Sequence, residues 1–124
     1  MDKIRNIAKD VYNSIGSGFE EGVYDKAMQV GLRLAKIKYE SQKVVEIKYK
    51  DHYVGEGYPD IIAYVGKDKI VLELKAVGGT MGNSEAAQII NYMKRLGTKK
   101  GALINFQQPK KEGKSQLEIK EIKS

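Results

Sequence analysis

The sequence predicts an α/β fold, a central mixed sheet of four to five strands flanked by helices. Three observations predict it. Two stretches of helical periodicity open the chain, β-branched and aromatic segments broken by turn residues fill its middle, and a third helical stretch separates two apolar strands. That third helix is long enough to cross over the sheet, so the strands it joins are expected to be parallel neighbours.

Residues 3–15 carry Ile4, Ile7, Ala8, Val11 and Ile15 at the spacing of one helical face, and Gly16-Ser17-Gly18 ends that helix. A second helix is expected from Glu20 to Ile37, with Val23, Ala27, Val30, Gly31 and Leu34 on one face. Glu20 and Glu21 in its first turn suit the positive end of the helix dipole. Residues 39–50 and 52–58 read as two strands around Lys50-Asp51, and Asp60–Val65 with Lys69–Val77 as a second hairpin. After a glycine-rich connection, Asn83 or Ser84 is expected to cap a helix running to Leu96, with Ala86, Ile89, Ile90 and Met93 on its buried side. Gly101–Asn105 reads as a short buried strand, and Gln116–Ile122 alternates as an edge strand.

A chain of 124 residues is expected to form one domain, residues 1–124. With no cysteine it has no disulfide framework, iron–sulfur cluster, thiol nucleophile or cysteine-containing zinc site. A Ser-His-Asp triad would have to pass through the single histidine, His52, which sits in a turn-like string. No apolar run approaches the roughly 20 residues that span a bilayer, and the first ten residues lack the apolar block of a signal peptide. An intracellular protein, cytoplasmic or nucleoid-associated and without a membrane partner, is expected. The net charge of +6 favours a polyanionic partner. Lysines outnumber glutamates five to two from Lys36 to Lys50 and seven to three from Lys99 to the end. Such flanks suit a nucleic-acid backbone, although solvated lysine surfaces look the same in sequence.

The chemistry gathers in the hairpin. On a strand, Val71, Glu73 and Lys75 share one face and Ile70, Leu72 and Leu74 the other. If the hairpin closes through Gly66-Lys67, Val65 pairs with Asp68 and Asp60 stands opposite Glu73, with β-carbons about 4.5–5.5 Å apart. Two adjacent carboxylates repel each other unless a cation sits between them. Mg²⁺ takes hard oxygen ligands and commonly uses one or two protein carboxylates. A lysine beside it can hold or polarise a water, an arrangement suited to phosphodiester hydrolysis. The same residue types also make cross-strand salt bridges on solvated sheets. Here Glu73 lies inside an otherwise apolar strand, where a charge needs a partner or a metal.

On the third helix Gln88 and Tyr92 are four residues apart and share a face, with Glu85 and Arg95 near the same stripe. Gln88 is placed to orient a nucleophile or a strand, and Tyr92 to contact a phosphate or base; both also suit the polar end of a partly buried helix. Glu21 and Tyr24 share a face of the second helix. Glu21 would add a third carboxylate, directly or through water, or else simply complement the dipole. Tyr24, Arg95, Lys99, Lys100, Lys110 and Lys111 are the expected nucleic-acid contacts.

In order and spacing these residues resemble the PD-(D/E)xK nuclease superfamily, and within it the small GxxExxY proteins. Gly18, Glu21 and Tyr24 match the name motif, Pro59-Asp60 and Glu73-Leu74-Lys75 the nuclease core, Gln88 and Tyr92 a QxxxY motif, and Gly101–Phe106 the late strand. The resemblance implies a restriction-endonuclease-like core in which Asp60, Glu73 and the main-chain carbonyl of Leu74 ligate Mg²⁺ or Mn²⁺. Lys75 would activate water, leaving a 5′-phosphate; Glu21 would be an accessory acid, and Gln88 and Tyr92 would belong to the site as in RecB-like nucleases. The implied partner is DNA, with RNA and a homodimer as further possibilities. The alternative is an inactive module that keeps the fold and binds nucleic acid or protein.

Overall fold

Gly66-Lys67 closes the central hairpin and sets the register of the sheet. In the computed structural model, which describes residues 1–79, 82–109 and 116–123, Gly66 has a φ of +61° and Val65 pairs with Asp68, as a two-residue turn requires. The hairpin strands are β4 (Ile61–Val65) and β5 (Asp68–Lys75). Helix α3 (Asn83–Leu96) then crosses to β6 (Lys100–Phe106), which runs parallel to β5, and β7 (Leu117–Lys123) closes that edge antiparallel to β6. At the other edge β1 (Lys38–Ser41) pairs antiparallel with β4, giving the order β1-β4-β5-β6-β7.

The alternation of β5 divides the core. Ile70, Leu72 and Leu74, joined by Ile61, Ala63, Ala102, Ile104 and Phe106, face α1 (Asp2–Ile15) and α2 (Glu21–Leu34). Val71 and Leu103 face α3 through Ile89, Tyr92 and Met93. Among the described residues no helix is long and apolar enough to cross a membrane.

Four expectations are corrected. The strand expected over residues 39–50 is two elements. Gln42 takes a φ of +55° and donates its N–H to the Asp60 carbonyl at 3.2 Å, turning the chain out of the sheet after β1. The chain resumes as a separate ribbon of β2 (Val45–Tyr49) and β3 (His52–Gly57), whose turn, Lys50-Asp51, has positive φ at both residues.

The buried face of α2 is Tyr24, Met28 and Leu32, while Val23 and Val30 are exposed and Leu34 is 80% exposed. Tyr24 decides this. Its ring stacks on Phe106, with centroids 4.5 Å apart and planes within 7°, burying more apolar area than a valine offers. The helix also stops at Leu34 rather than Ile37, because Lys36 adopts a φ of +59° and lets the Ile37 N–H return to the Leu32 carbonyl.

Neither Asn83 nor Ser84 caps α3 with its side chain; Gly82 occupies the cap position. The Glu85 carboxylate serves instead. Its pKa is lowered by its own N–H and the Ser84 hydroxyl, and further by the Gly82 N–H, a glutamate reaching back over the first turn.

Candidate active site

The site grows from the register of the hairpin. With Ile61 opposite Leu72, Asp60 falls opposite Glu73, on the sheet face that carries α3. Backbone amides fix both carboxylates. The Asp60 N–H donates to Glu73 Oε1 at 3.3 Å, and the Leu74 N–H donates to Asp60 Oδ2 at 2.8 Å.

Glu73 is 6% exposed in a strand of apolar neighbours. Burial, and then the charge of Asp60, push its pKa up to about 8. Asp60 is raised as well, chiefly by burial and against the Leu74 N–H that favours its ionised form. Two acids thus share a site where burial and mutual repulsion disfavour their charged forms, a pair that a bound cation would stabilise. The ion pairs of the described residues are Arg5–Glu121, Lys43–Glu40, Lys48–Glu46 and Lys100–Asp68, so neither acid is locked against a basic side chain.

Lys75 lies two residues beyond Glu73 on the same face, and its charge acts on Glu21, Asp60, Glu73 and Glu85. Glu21 comes from α2 on the opposite face of the sheet. It is half-buried, with its pKa raised by burial first, held down by Lys75 and raised again by Asp60 and Asp25. The sequence-predicted acids and lysine are therefore brought near one another from α2, the residue just before β4, and β5.

Lys75 forms part of the lining of an open groove of about 830 Å³, walled on one side by the ribbon (Ile47, Glu56, Gly57) and on the other by α3 (Gln88, Asn91, Arg95). Tyr92 is 7% exposed and packs between the two walls. Its hydroxyl accepts from Gln88 Nε2 at 3.3 Å, and burial followed by the charge of Glu73 raises its pKa. Gln88, Tyr92 and Arg95 thus line the same groove as Lys75.

Two groups of expected contacts are placed elsewhere. Tyr24 is fully buried, donates its hydroxyl to the Gly16 carbonyl at 2.8 Å and stacks on Phe106, which removes it from any nucleic-acid contact surface. Lys99 and Lys100 lie at the far end of the sheet. Lys100 pairs in register with Ile70, about 16 Å from Lys75 at about 3.3 Å per residue, and its ammonium is held by Asp68 at 2.7 Å. Lys110 and Lys111 fall outside the described residues.

Three residues were missed. Asp25, one turn after Glu21, raises the pKa of Asp60 and accepts from Gln29 Nε2 at 2.6 Å. Asn105 is fully buried beside Lys75 in the parallel register; its Oδ1 accepts the Val77 N–H at 3.0 Å and its Nδ2 donates to the Gly79 carbonyl at 2.8 Å. Gln108 spans from β6 to the start of α2. A lone amide in the apolar run Gly101–Phe106 is a readable signal, since a buried amide must find partners. Gln108, outside any periodic element, gives none.

Among the described residues no three carboxylate or imidazole groups close into a cage for a metal ion. The chain offers a pair of adjacent carboxylates held by backbone amides at the hairpin, a donor set that fits Mg²⁺ or Mn²⁺, which retain water and use few protein ligands.

A sequence model of the PD-(D/E)XK nuclease superfamily matches residues 1–118. Among solved structures, SSO0001 superposes with a TM-score of 0.63 at 18% identity, covering 82% of this chain and 50% of that one. Hjc, a Holliday junction resolvase from the archaeal hyperthermophile Archaeoglobus fulgidus, superposes with a TM-score of 0.50 at 13% identity, covering 78% of this chain and 70% of the resolvase. The chain spans about half the length of SSO0001. At these identities the likeness is one of fold, and it bears out the restriction-endonuclease-like core. Among curated proteins none matches the sequence.

Proposed function

Since the chain belongs to the PD-(D/E)XK nuclease superfamily, we propose that it is a metal-dependent nuclease that hydrolyses phosphodiester bonds in DNA. One observation carries the reading. Asp60 and Glu73 converge from neighbouring strands, both held above the ordinary carboxylate range, with Lys75 next along the same face and no ion pair to either acid among the described residues.

Asp60, Glu73 and the main-chain carbonyl of Leu74 would hold Mg²⁺ or Mn²⁺. When bound, the ion supplies polarisation of the phosphate and a lowered pKa for water. Lys75 donates a hydrogen bond to the attacking water, orients it and offsets negative charge on the phosphate. Gln88 and Tyr92, adjoining Lys75 in the groove, orient the strand, with Arg95 further along as a phosphate contact. Glu21 acts as an accessory acid from α2. The net charge of +6 supports a polyanionic substrate.

The purified chain should cut DNA with Mg²⁺ or Mn²⁺ and stop with EDTA. Lys75→Ala should lose about 10²–10⁴-fold in rate while unfolding as the parent does. Salt-sensitive DNA binding without cleavage in either metal would instead mark an inactive binding module, and undiminished cutting by Lys75→Ala would remove that lysine from the mechanism.

A further inference from the structure

We propose that Gln108 and Tyr24 are positioning residues that hold the start of α2, and with it the Glu21 carboxylate, beside Asp60 and Lys75. The function of that placement rests on the nuclease reading above; the placement itself does not.

The N-terminus of α2 has no side-chain cap of its own. A helix start without a cap frays unless something else satisfies and immobilises it. Here the restraint comes from across the chain. The Gly18 N–H donates to Gln108 Oε1 at 2.7 Å, and Gln108 Nε2 donates to the Tyr24 hydroxyl at 3.2 Å and to the Phe106 carbonyl at 2.8 Å. An amide can serve an N–H and two oxygens in this way in one orientation alone, so the network fixes its flip.

Tyr24 completes the latch. Its hydroxyl donates to the Gly16 carbonyl at 2.8 Å, folding the approach loop onto the first turn, while its ring stacks on Phe106 and meets the edge of Phe19 at 6.2 Å. Glu21 lies one helical turn before Tyr24 and follows it rigidly. The main-chain N–H of Gln108 donates to the Val77 carbonyl at 3.2 Å, two residues beyond Lys75. One residue therefore joins the loop that presents Glu21 to the segment that follows Lys75.

This arrangement gives Gly18, Glu21 and Tyr24 separate tasks. The glycine supplies an N–H to the latch, the glutamate is coupled by charge to Asp60 and Lys75, and the tyrosine is the buried pin. The tyrosine reaches no substrate.

The test uses Gln108→Ala and Tyr24→Phe in the full chain, each alone and combined with Glu21→Gln. Amide hydrogen exchange at residues 18–24 should accelerate tenfold or more (about 1.4 kcal/mol) in both single variants, with β5 and β6 unchanged. Unchanged exchange at 18–24, or acceleration spread equally over the sheet, would overturn the proposal. In DNA cleavage, Gln108→Ala should lower kcat about tenfold with little change in KM, and should cost nothing further in the Glu21→Gln background, because both changes remove one contribution. Equal losses in the two backgrounds would show that the latch does not act through Glu21. If the parent chain cuts no DNA, the nuclease reading fails, and the exchange measurement alone still decides the latch.

Discussion

Asp60 and Glu73 hold each other from neighbouring strands: the Asp60 N–H reaches Glu73 Oε1 at 3.3 Å, and the Leu74 N–H beside Glu73 reaches Asp60 Oδ2 at 2.8 Å. This geometry makes stability depend on pH. The folded-state pKa of Glu73 is about 8 against an ordinary 4.5, so between those values the folded chain binds more protons than the unfolded one. The contribution of Glu73 to stability is then full below pH 4.5 and is lost as pH rises through about 8. Asp60, also raised, adds to the same trend. Unfolding in metal-free buffer should show this decline, Glu73→Gln should flatten it, and Mg²⁺ or Mn²⁺ should restore stability at pH 8. A slope that survives Glu73→Gln would place its origin elsewhere.

Asn105 predicts a separate loss. It is fully buried and holds the Val77 N–H and the Gly79 carbonyl, the segment just after Lys75. Asn105→Leu leaves those groups without their partner, at about 1–3 kcal/mol for each buried group left unsatisfied. Asn105→Asp keeps an acceptor for Val77 but loses the donor to Gly79 and places a charge near Glu118, 3.3 Å from the present amide. It should therefore be the worse variant at pH 7 and improve as the pH is lowered. Urea titration at two pH values checks the order.

How much of this was legible depends on whether a local rule sets the geometry. The Asp60/Glu73 register was legible because Gly66-Lys67 fixes every later pair of the hairpin by counting, and the alternation of Ile70–Lys75 separates core from site. The α2 face was not, because Val23, Val30 and Leu34 make a good stripe by themselves, and a stack between Tyr24 and Phe106, 82 positions apart, outweighs them. The break after β1 was hidden for a related reason. Gln42 carries no turn chemistry, and its positive φ is held by a bond to Asp60. Glu21 and Gln88 were recognisable as candidates, yet their distance to Lys75 depends on how the helices pack over the sheet.

The far lysines predict a dissociation of binding from cleavage. Lys99 is exposed at the end of the sheet opposite Lys75, whereas Lys100 is already engaged by Asp68. If the exposed lysine meets a phosphate of a long duplex, Lys99→Ala should reduce the slope of log affinity against log salt by about 1, and Lys100→Ala by less. Cleavage of a short duplex that covers only the acidic cluster should be unaffected. Fluorescence anisotropy over a salt series measures the first, and equal effects on short and long substrates would contradict the placement.

Gly57 and Tyr92 make the tightest demand in the site. A Cβ at residue 57 would stand 2.5 Å from the Tyr92 hydroxyl and 2.6 Å from Cε1, both closer than real Cβ atoms approach a neighbour. The ring cannot swing aside freely, because it is buried against Val45, Val71 and Ile89 and its hydroxyl is bonded by Gln88. In Gly57→Ala the ribbon must lift from α3, at about 1–3 kcal/mol, and the groove beside Lys75 changes shape with it. Tyr92→Phe should give little relief, since the ring carbon stays where it was. Tyr92→Ala removes the obstruction, so Gly57→Ala should be nearly neutral for stability in that background. A double-mutant cycle by urea unfolding measures this coupling, and a full Gly57→Ala penalty in both backgrounds would mean that the ribbon is held to the domain by something other than Tyr92.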